Sequence, residues 1–183
     1  MIILGVDPGT LITGYGIIES KNGKMTVLAC DAIKNKSGIA MPLRLKHIYD
    51  VLSETISRFH PDEFAIETAF YGKNAQSALK LGHARGVAML AAVAKEIPTS
   101  EYSPREVKKA IVGKGNASKQ QVQYMIKSIL NMKDAPRLFD VSDALAVAIC
   151  HAHRAVPNRT SYKSWRAFLS AHPEKLSTAS RRP

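Results

Sequence analysis

The first ten residues constrain the fold of this chain more than any other stretch. Residues 2–6 (I-I-L-G-V) are almost all apolar and predict a strand that is buried on both faces of a sheet. Pro8 and Gly9 then predict a turn, because proline cannot donate to a strand ladder and glycine tolerates turn conformations. Asp7 therefore stands at the end of a buried strand. Such a carboxylate needs a cation or hydrogen-bond donors, although a turn-capping role explains Asp7 alone equally well.

The following segments predict a sheet built around that first strand. Thr13–Ser20 and Met25–Ile33 read as two more strands, joined by a hairpin turn at Asn22-Gly23, so the three form an antiparallel meander. Apolar residues at helical spacing over Pro42–Phe59 predict a helix. A helix between two strands is a crossover connection, so the next strand, Phe64–Ile66, is expected to run parallel in the same sheet.

Pairing of the fourth strand with the first brings two carboxylates to one edge of the sheet. Glu67 follows the fourth strand as Asp7 ends the first, and parallel neighbours end on the same side. Ile97–Tyr102 predicts a fifth strand. The fold class is therefore α/β, with a five-stranded mixed sheet flanked by helices. The later helices are predicted at Gln76–Glu96, after Ser103, after Ser118, and over Asp140–Ile149.

The last of these helices carries two more acids, Asp140 and Asp143, whose spacing of three places them on one helix face. Each acid has an ordinary explanation of its own: Asp140 as an N-cap, Asp143 at the positive helix end, Glu67 paired with Lys73. One divalent-metal site accounts for these three together with Asp7. All-oxygen ligands favour Mg²⁺ or Mn²⁺ over Zn²⁺.

Composition limits the class of protein and the kind of partner. With 183 residues, 45% apolar and 22% charged, the chain is expected to form one globular domain over residues 1–156, followed by a basic, partly disordered tail over 157–183. No apolar run reaches the length of a membrane span. Cys30 and Cys150 indicate buried thiols in a cytosolic protein. A net charge of +11 indicates a polyanionic partner.

Five motifs follow one another along the chain: GVDPGT, TGYG, AIETAF, ALKLGHARG and DVSDALAVAI. Together they resemble the RuvC family of bacterial Holliday-junction resolvases. The resemblance implies an RNase H-like fold, a homodimer, and cleavage of four-way DNA junctions with two Mg²⁺ ions per site, which Mn²⁺ can replace. It places the acidic tetrad of the family on Asp7, Glu67, Asp140 and Asp143. Other members carry a histidine where this chain has Asp140.

The same resemblance implies a set of DNA contacts. Phe70 falls on an aromatic residue that stacks on an unpaired base, whereas the alternative is that Phe70 and Tyr71 close the end of the core. Lys108 and Lys119 fall on lysines that approach the DNA backbone near the cut, whereas the alternative is a solvated helix face. Further candidates for phosphate contacts are Lys114, Arg85 and Lys80.

The resemblance also implies partners: the branch-migration proteins RuvA and RuvB, in the bacterial cytoplasm. Small residues in the helix Gln76–Glu96, among them Ala78, Gly82 and Ala88, predict the place where two copies of the chain meet. His83, His151 and His153 are not assigned as metal ligands, because a carboxylate site for Mg²⁺ does not need imidazole.

Three alternative functions remain open from the sequence. An RNA-processing nuclease could share the RNase H-like fold. An actin-like or sugar-kinase-like ATP-binding domain also begins with a strand and Asp-x-Gly-Thr, but those proteins use two such domains. A DNA-binding protein without catalysis explains the charge of +11 but gives no reason for four acids that repel DNA.

Overall fold

A computed structural model describes residues 1–68 and 75–155 of the chain. One sheet has the strand order β3-β2-β1-β4-β5. Its first three strands form an antiparallel meander, and β4 and β5 run parallel to β1. The predicted five-stranded mixed sheet is therefore confirmed. The strands are β1 (Ile2–Asp7), β2 (Ile12–Lys21), β3 (Lys24–Lys34), β4 (Glu63–Glu67) and β5 (Thr99–Tyr102).

Helices cover both faces of this sheet. One buried cluster joins α1 and α2 to the first face, and the other joins α3, α4 and α5 to the second. None of the helices within residues 1–68 and 75–155 is both long and apolar enough to cross a membrane. The helices are α1 (Met41–Phe59), α2 (Ala75–Val93), α3 (Pro104–Val112), α4 (Lys119–Ile129) and α5 (Phe139–Ala155).

Local sequence signals explain where several elements begin and end. Asn22 and Gly23 have φ angles of 52° and 75°, as a tight hairpin turn requires. Ser103 and Ser118 form the predicted capping boxes, each accepting a hydrogen bond from the backbone N–H three residues later. The last strand is shorter than predicted, since the backbone N–H of Ile97 donates to the end of α2 rather than to the sheet.

Two glycines allow α5 to lie directly against the middle of the sheet. A Cβ atom on Gly5 would lie 2.2 Å from the carbonyl oxygen of Ala144, and one on Gly14 would lie 2.0 Å from that of Asp140. A larger residue at either position would push the helix away. The glycines thus fix the height of α5 over β1 and β2, and with it the position of the acids at the start of the helix.

Other sequence predictions have simple outcomes. The helix α5 continues six residues beyond its predicted end at Ile149, to Ala155. Both cysteines are free, with Cys150 buried and Cys30 half-buried. The predicted basic tail over 157–183 lies outside the described residues.

Candidate active site

Two carboxylates lie side by side where neighbouring parallel strands end. Val6 of β1 is in register with Ile66 of β4, and each strand has an acid as its next and last residue, Asp7 and Glu67. Because side chains alternate along a strand, Asp7 faces the same side of the sheet as Gly5, which is the side covered by α5. The predicted meeting of Asp7 and Glu67 is therefore observed.

The first two turns of α5 bring the other two acids to the same edge. Gly14 is the β2 partner of Asp7, and the carbonyl oxygen of Asp140 rests directly on Gly14. Asp143 follows one turn later and lines a cavity of about 140 Å³ together with Glu67. All four acids of the predicted tetrad thus gather around the ends of β1 and β4.

Burial and the neighbouring acids shift the pKa values of Asp7 and Glu67. Burial, followed by repulsion from Glu67, Asp143 and Asp140, raises the pKa of Asp7 from 3.8 to about 8. Burial and repulsion from Asp143 also raise the pKa of Glu67 from 4.5 to about 7, although Lys119 and then Lys108 act in the opposite direction. Clustered, partly buried carboxylates of this kind are stabilised by a bound cation.

One cation of the chain itself already faces this cluster. The Nζ atom of Lys119, at the start of α4, donates to Asp143 Oδ2 at 2.8 Å. That hydrogen bond, together with attraction to the other acids, raises the pKa of Lys119. Lys108 of α3 lines the same cavity as Lys119, Glu67 and Asp143. Both predicted DNA-contacting lysines therefore stand at the mouth of the acidic cluster.

The donor atoms fit a hard divalent cation. Carboxylate oxygens are the preferred ligands of Mg²⁺ and Mn²⁺. Burial and repulsion from the other acids raise the pKa of Asp7, so a cation bound beside it would stabilise its charged form. Within the described ranges 1–68 and 75–155, no three His, Cys, Asp or Glu side chains are arranged as a ready-made metal site. Asp143 is instead paired with Lys119. The chemistry of the site therefore fits the metal, while its side chains must rotate to hold one.

The remaining predicted residues lie elsewhere. Arg85 of α2 pairs with Glu101 of β5, and Lys114 lines a separate cavity of about 440 Å³ between α3 and α4. Lys80 is exposed on α2. Phe70 and Tyr71 fall in residues 69–74, outside the part of the chain that the structure describes.

The histidines have other surroundings. His151 is buried and its Nδ1 atom is 2.8 Å from the hydroxyl of Tyr102. His83 and His153 are exposed, on α2 and α5 respectively.

Sequence reasoning missed Phe139, which begins α5 beside the acids. Its ring lies 5.7 Å from the Nζ atom of Lys119 and is partly exposed. The only signal in the sequence was an aromatic residue directly before Asp140. Gly14 was missed as well, because its role depends on the approach of a helix more than a hundred residues away.

Comparison with known proteins agrees with this geometry. The family model described as crossover junction endodeoxyribonuclease RuvC matches residues 3–151. The RuvC protein of Salinibacter ruber is 47% identical over 178 residues, which cover 97% of this chain and 99% of that protein. The RuvC protein of Alkaliphilus metalliredigens is 53% identical over 153 residues, which cover 84% and 93%.

Solved structures agree as well. Thermus thermophilus RuvC in complex with a Holliday junction substrate superposes with a TM-score of 0.81 at 34% identity, covering 85% of this chain and 94% of that one. The expected RNase H-like fold is thereby confirmed. With a family model that spans most of its length and relatives at about half identity, the chain belongs to the RuvC family of crossover junction endodeoxyribonucleases.

Proposed function

We propose that this chain resolves four-way (Holliday) DNA junctions by metal-dependent hydrolysis of two phosphodiester bonds, in recombination and repair. The observation that carries the proposal is the convergence of four acids at one sheet edge, where burial and then repulsion from the other acids raise the pKa of Asp7 to about 8. Four clustered acids repel DNA unless cations neutralise them. The products are a 5′-phosphate and a 3′-hydroxyl, which a ligase can join.

Each acid has a role in holding the cations. Asp7 and Glu67 come from rigid strand ends, and Asp140 and Asp143 from a helix fixed against the sheet by Gly14. We infer that these four carboxylates hold two Mg²⁺ ions, which Mn²⁺ can replace. When bound, such ions lower the pKa of a water molecule and neutralise charge on the scissile phosphate.

The lysines at the mouth of the cluster supply the contacts to the DNA backbone. The Lys119 side chain is 57% exposed in its pairing with Asp143, so its ammonium group can exchange that carboxylate for a phosphate oxygen. Lys108 lies across the same cavity. Phe70 is proposed to stack on a base at the crossover, with Tyr71 beside it. Lys114 is a candidate for contacts farther along a DNA arm, and so is Arg85 if its pairing with Glu101 opens.

The two-fold symmetry of a four-way junction calls for two copies of the site. We propose that the copies meet along α2, where Leu79, Leu90 and Val93 are 63%, 57% and 55% exposed. Gly82 and Gly86 lie on the same stripe, and a Cβ atom on either would touch nothing in the described chain. By contrast, Ala88, named from the sequence as part of this interface, is fully buried against the chain's own core.

Membership of the RuvC family supports a proposal about partners and location. We propose that the dimer works in the bacterial cytoplasm alongside the branch-migration proteins RuvA and RuvB. The positive charge of the chain, +11 in total, suits a nucleic-acid substrate.

A substrate panel tests the proposed function. The protein is incubated with Mg²⁺ and a synthetic four-way junction, a linear DNA duplex, a structured RNA, or ATP. We expect efficient cleavage of the four-way junction but not of the linear duplex or the RNA, and no hydrolysis of ATP. Cleavage of the junction is expected to be lost in Asp7→Asn. Asp50→Asn is the matched control, because Asp50 is an exposed acid on α1 that forms an ion pair with Lys46. Preferential cleavage of RNA, or hydrolysis of ATP without cleavage of DNA, would contradict the proposal.

A further inference from the structure

The side chain of Lys119 contacts two side chains of α5. Its Nζ atom is 2.8 Å from Asp143 Oδ2 and 5.7 Å from the centre of the Phe139 ring. Phe139 and Asp143 are four residues apart, so they project from the same helix face. The ammonium group is therefore held by two contacts with one helix, a hydrogen bond to the carboxylate and a cation–π contact with the ring.

Phe139 has no evident role in the core. The preceding residue, Leu138, packs against the core cluster of α3, α4 and α5, whereas Phe139 is 38% exposed. An aromatic ring with more than a third of its surface exposed gives up part of the free energy of burial. The ring contacts the Lys119 cation, and a cation over an aromatic face is attracted by the ring's quadrupole.

Lys119 needs such a support. It is the first residue of α4, where the positive end of the helix dipole disfavours a cation. Its long side chain also has many rotamers, and 57% of its surface is exposed. If Asp143 turns toward a metal ion, the ammonium group loses its only described hydrogen-bond partner. The ring of Phe139 then remains to keep it beside the acidic cluster.

We propose that Phe139 is a positioning residue, which holds the Lys119 ammonium group at the mouth of the acidic cluster where it meets the phosphate being cleaved. This inference rests on the proposed function for its phosphate ligand. It assigns Phe139 no contact with the DNA bases, so its effect on cleavage passes through Lys119 alone.

The first test needs neither metal nor DNA. Nuclear magnetic resonance of the free protein, with lysine side chains labelled, reports the ring-current shift of the Lys119 ε-methylene group. We expect an upfield shift in the native chain that disappears in Phe139→Leu and persists in Phe139→Tyr. Tyr124→Leu is the matched control, since Tyr124 is a 72% exposed aromatic on α4. A Lys119 resonance that does not respond to Phe139→Leu overturns the proposal.

The second test is a double-mutant cycle of single-turnover junction cleavage with Phe139→Leu and Lys119→Met. From the strength of exposed cation–π contacts, Phe139→Leu is expected to slow cleavage about twofold to fivefold, and Phe139→Tyr to restore the rate. In the Lys119→Met background, Phe139→Leu is expected to have no further effect. Equal effects in both backgrounds would show that Phe139 acts on its own, for example by stacking on a base, and would overturn the proposal.

The outcome for Asp7→Asn separates this inference from the proposed function. If Asp7→Asn abolishes cleavage while Phe139→Leu leaves the rate and the Lys119 resonance unchanged, only the role of Phe139 is refuted. If Asp7→Asn cleaves the junction at the native rate, the proposed function itself fails.

Discussion

The acidic cluster is expected to destabilise the metal-free protein, and Asp7→Asn measures that cost. The pKa of Asp7 is raised from 3.8 to about 8, so the folded chain holds this proton more tightly than the unfolded chain does. Folding is then favoured at low pH, and stability is lost as the pH rises from about 4 to about 8. At pH 8 the penalty amounts to about 5 kcal/mol for a shift of this size.

Asparagine removes the charge but keeps a buried polar group, which has its own cost. We therefore expect Asp7→Asn to recover about half of the penalty, roughly 2–3 kcal/mol of unfolding free energy at pH 8. For a chain of this length, that gain corresponds to a rise in Tm of about 5–10 °C. Near pH 4 the gain is expected to disappear, because Asp7 is then protonated in the folded chain and close to half protonated in the unfolded one, so little penalty is left to recover.

The assay is thermal and urea unfolding in the presence of a chelator, at pH 4.5 and pH 8, with Asp50→Asn as the exposed-acid control. Added Mg²⁺ is expected to raise the Tm of the native chain and to have much less effect on Asp7→Asn. The reasoning is refuted if Asp7→Asn is no more stable than the native chain at pH 8, or if its gain is the same at both pH values.

Three further predictions concern other parts of the molecule. Gly14→Ala places a methyl group against the backbone of α5, so we expect a loss of about 1–3 kcal/mol in urea unfolding and a marked loss of cleavage. Leu90→Glu is expected to give a monomer in sedimentation equilibrium, whereas Leu43→Glu, an equally exposed site on α1, is not. Tyr102→Phe leaves a buried nitrogen of His151 unpaired and is expected to cost about 1–3 kcal/mol of stability with little change in cleavage rate.

Much of the sheet could be predicted because its signals are local. The hairpin turn at Asn22-Gly23 predicted that β2 and β3 pair antiparallel. The helix between the third and fourth strands predicted that β4 runs parallel to a strand of the same sheet, which is β1. The neighbouring ends of β1 and β4 then followed, and with them the meeting of Asp7 and Glu67. The spacing of Asp140 and Asp143 likewise placed both on one face of α5.

The features that escaped prediction depend on packing between distant elements. The pairing of Lys119 with Asp143 requires α4 to lie beside α5, and neither helix carries a signal for that neighbour. Ala88 and Gly82 look alike as small residues on one helix, yet only the docked helix shows that Ala88 faces the sheet and Gly82 faces outward. The sequence suggested that Arg85 could bind a phosphate, because it does not show that β5 places Glu101 beside this arginine.

The central claim is that four acids form one hydrolytic site. The most direct test is single-turnover cleavage of a four-way junction in Mg²⁺, mapped on all four strands, with the four variants Asp7→Asn, Glu67→Gln, Asp140→Asn and Asp143→Asn. We predict that the native chain makes two symmetric nicks that ligase can seal. Each variant is expected to bind the junction but to cleave it at least about a hundredfold more slowly. Cleavage by Asp7→Asn or Glu67→Gln at the rate of the native chain would contradict the account. So would nicks by the native chain that are confined to one strand of the junction.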